Sequence, residues 1–325
     1  MKDLTLSRRG FLATGSAAAL TLVTGKLFGA PAYIPHLGKP NSLFNGVQVG
    51  VISYSWRSMP GSAEDILKYC IECNISAIEL MGGPAEQFAG APVAPAMPPR
   101  SEMTDDHRAI MAEYGKTLAA WRTGVSMDQF VKLRKMYNAA GVKIYGFKPS
   151  ALGVGNTDAE VNYALRAAKA LGANQANVEL PKEDSETLRL GKIADKNKIY
   201  VGYHGHTQQT PTWWDVALGQ AKYNAMNFDL GHYVAAGYEP IELLTAKHDR
   251  IVSMHVKDRK SKANGGANLP WGEGDTPIVE VLQLMRKNKY KFPATIELEY
   301  NIPSGSDAVK ETARCVEYAR KALGA

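Results

Sequence analysis

The sequence has few cysteines and no disulfide framework. Its 325 residues include only three, Cys70, Cys73 and Cys315, and a framework would need a larger, even number at regular spacings. The Cys-x-x-Cys pair at 70–73 falls in a predicted amphipathic helix, 63–73, and no second pair is present to complete a zinc site. We therefore interpret the cysteines as small apolar residues without chemistry.

The excess of positive over negative charge is also small. The chain has 38 Lys and Arg against 32 Asp and Glu. Residues 1–32 hold four of the basic residues and one of the acidic ones, so the remainder carries an excess of only three positive charges. No block of Lys or Arg forms a track for phosphates, and nucleic acid is not predicted as a partner. The apolar and charged fractions, 45% and 22%, are those of an ordinary globular protein.

A third absence concerns the glycine-rich phosphate turn of doubly wound sheets. That turn normally follows the first strand as Gly-x-Gly-x-x-Gly. The first predicted strand here, 47–55, runs into SYSWRSMPGS (53–62), which lacks the pattern. The absence disfavours the main alternative among α/β folds.

The N-terminal segment has the pattern of an export signal. Residues 7–12 read SRRGFL, an Ala-rich run without acids follows, and small residues at 29–32 form a plausible cleavage region. The paired arginines before Phe-Leu resemble a twin-arginine signal. That resemblance implies export of the folded protein by the Tat machinery to the periplasm or beyond. We assign 1–32 to the signal and 33–46 to a linker.

Beyond the linker, short apolar runs alternate with segments of helical period. Eight strands are predicted, at 47–55, 76–81, 142–148, 175–180, 199–204, 225–230, 251–256 and 294–299. Helices are predicted at 63–73, 127–139, 158–171, 184–196, 239–246, 277–287 and 305–322. This alternation predicts an α/β protein, a single-domain (β/α)8 TIM barrel over 47–325.

One segment, 83–124, is too long for a plain crossover and holds five prolines. We predict an ordered loop over 83–101 and a helix over 105–120. A lid over the site and a surface elaboration without a role in chemistry both fit this pattern.

Metal-binding residue types stand at the ends of four strands in the second half of the chain. They are Glu179, then Asp229 with His232, then His255 with Asp258, and last Glu297 with Glu299. Side chains at the carboxyl ends of barrel strands converge on one face, where TIM-barrel active sites lie. Two Glu, one Asp and one His would form a nitrogen and oxygen ligand set for a divalent ion.

Several of these strand ends resemble the xylose isomerase-like TIM barrels, a family of sugar isomerases and epimerases. The motifs are YHGH (203–206), FDLGHY (228–233), HVKD (255–258) and IELEY (296–300), together with WGEGDTPI (271–278). The resemblance implies one divalent ion, Mn²⁺ first, with Zn²⁺, Co²⁺ or Mg²⁺ as alternatives. It implies Asp229, His255 and Glu297 as ligands. The first ligand is a Glu in ketose epimerases, whereas here the fifth strand ends in His204-Gly205-His206. We favour Glu179 for that place, then His206, and His204 is a further alternative.

The resemblance also implies a chemistry. Glu297 and Glu179 are the expected catalytic bases, removing a proton from a carbon next to a carbonyl through a metal-stabilised enediolate. The predicted contacts of a sugar or keto-sugar substrate are His206, His232, Lys148, Lys257, Trp56 and Glu299.

We interpret the chain as an exported metal-dependent sugar isomerase or epimerase. Two alternatives remain open at this point: a lyase or hydrolase-like enzyme that opens 3-keto-glycosides by β-elimination, and a non-catalytic periplasmic sugar-binding module. A homo-oligomer is compatible with each of them.

Overall fold

The computed structural model describes residues 38–325, so the predicted export signal lies outside the described residues. Eleven strands are present. They are β1 (Leu43–Phe44), β2 (Val47–Ile52), β3 (Ala77–Met81), β4 (Lys143–Lys148), β5 (Gln175–Glu179), β6 (Tyr200–His204), β7 (Asn224–Asp229), β8 (Ile251–Val256), β9 (Asp258–Arg259), β10 (Asn268–Leu269) and β11 (Ala294–Ile296).

Eight of these strands form a closed parallel barrel. The order around the ring is β2-β3-β4-β5-β6-β7-β8-β11, and β11 pairs in parallel with β2 to close it. Every barrel strand coincides with one of the eight predicted runs. The predicted single (β/α)8 barrel is therefore confirmed.

Eleven α-helices connect and cover the strands. They are α1 (Ala63–Glu72), α2 (Gly82–Phe88), α3 (Asp105–Gly124), α4 (Asp128–Ala139), α5 (Asp158–Leu171), α6 (Asp184–Asn197), α7 (Asp215–Gln220), α8 (Leu230–Ala235), α9 (Pro240–Lys247), α10 (Ile278–Asn288) and α11 (Ala308–Ala322). Within residues 38–325, none of the helices is both long and apolar enough to cross a bilayer.

The predicted helices are confirmed where the sequence shows both the helical period of apolar residues and residues that mark the two ends of the helix. Helix α5 begins after Thr157, which forms a capping box with Glu160, and ends at Gly172 in the left-handed region at φ 83°. Three short helices, α2, α7 and α8, were not predicted. Each has six or seven residues, too few for a helical period to show in the sequence.

Part of the predicted linker is ordered. β1 pairs antiparallel with β2 through a turn in which Asn45 and Gly46 both have positive φ. Ser42 is buried and its hydroxyl donates to the carbonyl oxygen of Val49, 2.6 Å away. Residues from Ser42 onward therefore belong to the base of the barrel.

The long segment 83–124 is tied to the outside of the barrel. It contains α2, a proline-rich stretch and α3, which packs on the outer helix α5. Arg122 near the end of α3 is buried, and its guanidinium lies 2.8 Å from Glu86 and 3.5 Å from Glu160. The segment is thus held by a buried ion cluster that joins α2, α3 and α5.

The barrel interior is lined by polar side chains. Successive residues of a strand point to opposite faces, so alternate positions share the interior. Polar inward positions are Glu79 of β3, Gln175 and Asn177 of β5, Asn227 and Asp229 of β7, Ser253 and His255 of β8, and Thr295 of β11, and all are buried. The apolar alternates face the helices and form the main hydrophobic core.

Candidate active site

A group of four side chains lies at the carboxyl end of the barrel. It consists of His204, Asp229, His255 and Glu297, all buried, and one ligand atom from each lies within 4.8 Å of the others. They come from β6, β7, β8 and the segment after β11, which are neighbours in the ring. We call this set the four-residue group. It brings together three of the four ligands preferred from the sequence.

Asp229 is held in place by the start of α8. As the last residue of β7 it caps this helix, and its Oδ1 accepts a hydrogen bond from the backbone N–H of His232 at 2.7 Å. Its other oxygen, Oδ2, is buried and makes no hydrogen bond of good geometry within residues 38–325. A buried carboxylate oxygen of this kind suits a cation.

His255 lies between two carboxylates. Its Nδ1 is 2.9 Å from Glu297 Oε2, and its Nε2 is 2.9 Å from Glu79 Oε2. Burial alone would lower the pKa of His255, but the charges of Glu297 and Glu79 outweigh it and raise the pKa to about 10. The imidazole is therefore protonated at neutral pH and donates from both nitrogens.

Glu79 is a residue of the site that the sequence did not predict. It is fully buried in β3, and besides His255 it accepts a hydrogen bond from the Asn227 amide at 3.2 Å. A carboxylate behind a ligand histidine fixes the orientation of the ring. The only signal in the sequence was a Glu inside an apolar strand, and its partner His255 lies 176 residues away.

His204 presents a free nitrogen to the group. Its Nδ1 is 3.0 Å from Asn227 Oδ1, while the amide nitrogen of Asn227 donates to Glu79 and Ser253. The oxygen of Asn227 is thereby set to accept, so Nδ1 of His204 carries the proton and Nε2 has the lone pair. Burial, and then the charge of Lys148, lower the pKa of His204 to about 4. The ring is therefore neutral at pH 7.

Lys257 lies in the middle of the carboxylates. Its Nζ is 3.0 Å from Asp229 Oδ2, 2.7 Å from Glu297 Oε2 and 2.7 Å from Glu299 Oε2. The side chain is buried, and the chain makes room for it at Gly231, where a Cβ would come within 2.4 Å of Lys257 Cγ. Burial would raise the pKa of Glu297, but Lys257 and His255 hold it well below its usual range.

Glu179 stands outside the four-residue group. It is the last residue of β5, its side chain is 48% exposed, and its Oε1 lies 3.0 Å from Lys148 Nζ. Its Oε2 is 3.5 Å from His206 Nδ1, and the two residues form a second group with His204. The side chain that joins Asp229, His255 and Glu297 in this structure is His204, the alternative ranked behind Glu179 and His206.

The remaining predicted contacts line the mouth above the group. The rings of His206 and His232 lie 4.7 Å apart, and His232 Nε2 is 3.3 Å from Glu299 Oε2. The guanidinium of Arg259 contacts His232 Nδ1. Because Arg stays protonated, this nitrogen accepts, which leaves Nε2, buried on the side of Glu299, as the nitrogen that carries the hydrogen.

Trp56 is placed differently from its prediction as a substrate contact. It is 2% exposed, it packs edge-on against Tyr69, and its indole N–H donates to Thr312 at 3.1 Å. Trp56 ends the short 3-10 turn Ser53–Trp56 that follows β2, and its ring lies against α11 through Thr312. The predicted contact is therefore corrected to a packing role in the core.

The four-residue group fits a divalent ion by the chemistry of its donors. Two imidazoles and two carboxylates form the mixed nitrogen and oxygen set that Zn²⁺, Mn²⁺ and Co²⁺ accept. One donor, Asp229 Oδ2, lacks a hydrogen bond within residues 38–325, and His204 already has its Nε2 lone pair free. His204, Asp229, His255 and Glu297 would hold the ion.

Comparison with known families agrees with this arrangement. A family model described as a xylose isomerase-like TIM barrel matches residues 67–319, which is more than half of the chain. The chain belongs to this family. The resemblance noted in the sequence is thus confirmed, and the xylose isomerase-like barrels are enzymes.

Curated relatives match only part of this chain. An inosose dehydratase of Bacillus thuringiensis (strain Al Hakam) is 23% identical over 158 residues, which are 42% of this chain and 52% of that protein. The chain spans about half the length of the curated relatives it matches.

Solved structures share the fold over most of their length. A probable 3-DHS dehydratase from Bacillus anthracis has a TM-score of 0.58 at 16% identity, covering 83% of this chain and 98% of that one. D-psicose 3-epimerase from Clostridium cellulolyticum H10 has a TM-score of 0.57 at 11% identity, covering 85% and 99%. A xylose isomerase-like barrel from Mycobacterium smegmatis, in complex with magnesium, has a TM-score of 0.51 at 15% identity, covering 85% and 96%. At these identities the likeness shows the fold alone.

We expect binding of a divalent ion to release about one proton per chain at pH 7. His255, whose pKa is raised to about 10, must lose a proton before a nitrogen can ligate, whereas His204 is already neutral. Apparent affinity should therefore rise as the pH increases toward 10 and fall at lower pH. Calorimetry of Mn²⁺ binding in buffers of different ionisation enthalpy measures the released proton; heats that do not depend on the buffer would contradict the assignment of His255.

Proposed function

We propose that this protein is a metal-dependent sugar isomerase or epimerase. It removes a proton from the carbon next to the carbonyl of a sugar or keto-sugar and returns it to give the isomeric product. The observation that carries the proposal is the four-residue group at the floor of a mouth lined by His206, His232 and Glu299. Membership in the xylose isomerase-like family supports it.

The ion, when bound, would polarise the substrate carbonyl and so acidify the neighbouring C–H. Glu297 is the base in this proposal. In the metal-free protein Lys257 and His255 hold the pKa of Glu297 well below its usual range, and a bound ion would supply the positive charge in their place, so the carboxylate stays ionised, the form a base needs. A carboxylate stabilised in this way is a weak base, so proton removal depends on the carbonyl being polarised.

The opposite side of the mouth carries a second acid–base pair. Glu179 and His206 lie 3.5 Å apart, and both are partly exposed to the space where a substrate would enter. His206 can return a proton to carbon on the face away from Glu297, which is the requirement for epimerisation, and the ionised Glu179 can remove one from that face in the reverse reaction. The pKa of Glu179 is lowered, because burial raises it but its neighbours His204 and Lys148, whose Nζ lies 3.0 Å away, outweigh that effect.

A second candidate is β-elimination, and two observations favour it. The curated relatives are named inosose dehydratases, a name that describes loss of water. In addition, His206 and His232 lie together at the mouth, where an imidazole can protonate a departing oxygen. Proton removal by Glu297 is common to both candidates.

Incubation in D₂O with a panel of sugars and 3-keto-sugars is expected to show deuterium entering the carbon next to the carbonyl. The proton abstracted by a side chain exchanges with solvent before it is returned. Proton NMR follows the exchange, and the product separates the candidates: an isomer or epimer supports the first, and release of water or an aglycone supports the second. An isomer or epimer formed without solvent deuterium would contradict proton abstraction, since it indicates direct hydride transfer.

A further inference from the structure

Lys257 shares its acceptor oxygens with the four-residue group. Its Nζ lies 3.0 Å from Asp229 Oδ2 and 2.7 Å from Glu297 Oε2, and both carboxylates belong to that group. The third contact is to Glu299, which is outside the group. An ammonium has three N–H donors, and here three carboxylates surround it.

The ammonium and a divalent ion would compete for the same negative charge. Asp229 and Glu297 are buried, so their charges need a nearby cation in the absence of metal. An ion ligated by both would stand within a few ångströms of Nζ, where two positive charges repel strongly in a site shielded from water. Glu299 is the natural alternative partner, because its side chain is 21% exposed and it lies toward the mouth.

We infer that Lys257 is an internal counter-ion for the metal site: it neutralises Asp229 and Glu297 in the metal-free protein and retreats to Glu299 when a divalent ion binds. This inference rests on the metal dependence in the proposed function. It makes two statements about this chain. Lys257 keeps the ligand carboxylates together before metal arrives, and it lowers the affinity for the metal.

Lys148 offers a matched control. It is also a lysine near the mouth, with its side chain 19% exposed, but its Nζ pairs with Glu179. Glu179 is not part of the four-residue group. Removing the charge of Lys148 should therefore leave competition for Asp229 and Glu297 unchanged.

The test is calorimetric titration of metal-free protein with Mn²⁺, using the wild type, Lys257→Met, Lys257→Gln and Lys148→Met. We expect both Lys257 variants to bind Mn²⁺ roughly tenfold more tightly or better, a modest share of the repulsion between close charges. Lys148→Met should stay within about threefold of the wild type. Thermal unfolding gives a second readout: both Lys257 variants should melt lower than the wild type without metal and gain more from added Mn²⁺.

The possible results distinguish a failure of the counter-ion role of Lys257 from a failure of the proposed metal dependence. If the wild type binds one ion and both Lys257 variants bind it equally or more weakly, the counter-ion role is overturned while metal dependence stands. If neither the wild type nor the variants bind a divalent ion, both are overturned. Should Lys257→Met not fold without metal, Lys257→Gln decides, because its amide, on a side chain one atom shorter, can still donate hydrogen bonds to the carboxylates but carries no charge.

Discussion

Replacing Glu297 with Gln is expected to lower turnover by about 10²–10⁴-fold, the usual contribution of a general base. The substitution keeps the shape of the side chain but removes its charge. It removes one carboxylate charge beside His255 Nδ1, 2.9 Å away, and beside Lys257 Nζ, 2.7 Å away. Steady-state kinetics on the substrate identified by NMR measures the loss, and circular dichroism checks the fold.

A control variant and a measurement of metal content accompany this prediction. Glu317→Gln is the matched control, because Glu317 is an exposed residue of α11 that pairs with Arg320 and Lys321 on the outer surface. Metal content should be measured on the same Glu297→Gln sample. A variant that lacks the ion has lost a ligand, whereas a variant that keeps the ion but not the turnover has lost the base. A variant with near-normal turnover would remove Glu297 from the catalytic role.

Replacing Arg122 with Ala is expected to lower the free energy of unfolding by about 3–5 kcal/mol, as for other buried ion pairs that lose one partner. The guanidinium of Arg122 lies 2.8 Å from Glu86 and 3.5 Å from Glu160, and all three side chains are at most 7% exposed. The substitution would leave two buried carboxylates without a cation. Urea unfolding measures the difference.

The control for Arg122 is an arginine whose ion pair is exposed. Arg320 contacts Glu317 through two of its nitrogens, but both side chains are more than 40% exposed. Water already solvates these charges, so Arg320→Ala should change stability much less than Arg122→Ala. Similar small losses in both variants would show that the cluster under segment 83–124 does not hold it to the barrel.

The fold could be predicted because its signals are local. Each barrel strand is a short apolar run, and α5 carries its own cap, Thr157, and its own stop, Gly172. Helix α8 could not be predicted in this way. It has six residues and depends on Asp229, a residue that serves the site as well as the cap.

The sequence predicted which strand ends carry the site residues, but it did not predict which of their side chains come together. Asp229, His255 and Glu297 converge because each ends or follows a neighbouring strand of one ring. The choice between Glu179 and His204 depends on side-chain direction at two paired positions, since β5 and β6 place these residues opposite each other. Glu179 reaches Lys148 at the rim, and His204 stays buried beneath it.

Contacts between the side chains of distant strands could not be predicted from the sequence. Glu79 meets His255 across the barrel interior, and Lys257 gathers carboxylates from β7 and from the segment after β11. No spacing within one element indicates such pairs. They appear only when the ring closes, and they shift the pKa values of His255, Asp229 and Glu297.

The most direct test of the account is the metal content of the protein in relation to its activity. Elemental analysis of the purified wild type loaded with Mn²⁺ and freed of excess ion should find about one divalent ion per chain. Asp229→Asn, which neutralises a ligand without changing its size, should lose both the ion and turnover. A chelator-treated wild type that holds no divalent ion and retains full activity would contradict the claim that His204, Asp229, His255 and Glu297 form a catalytic metal site.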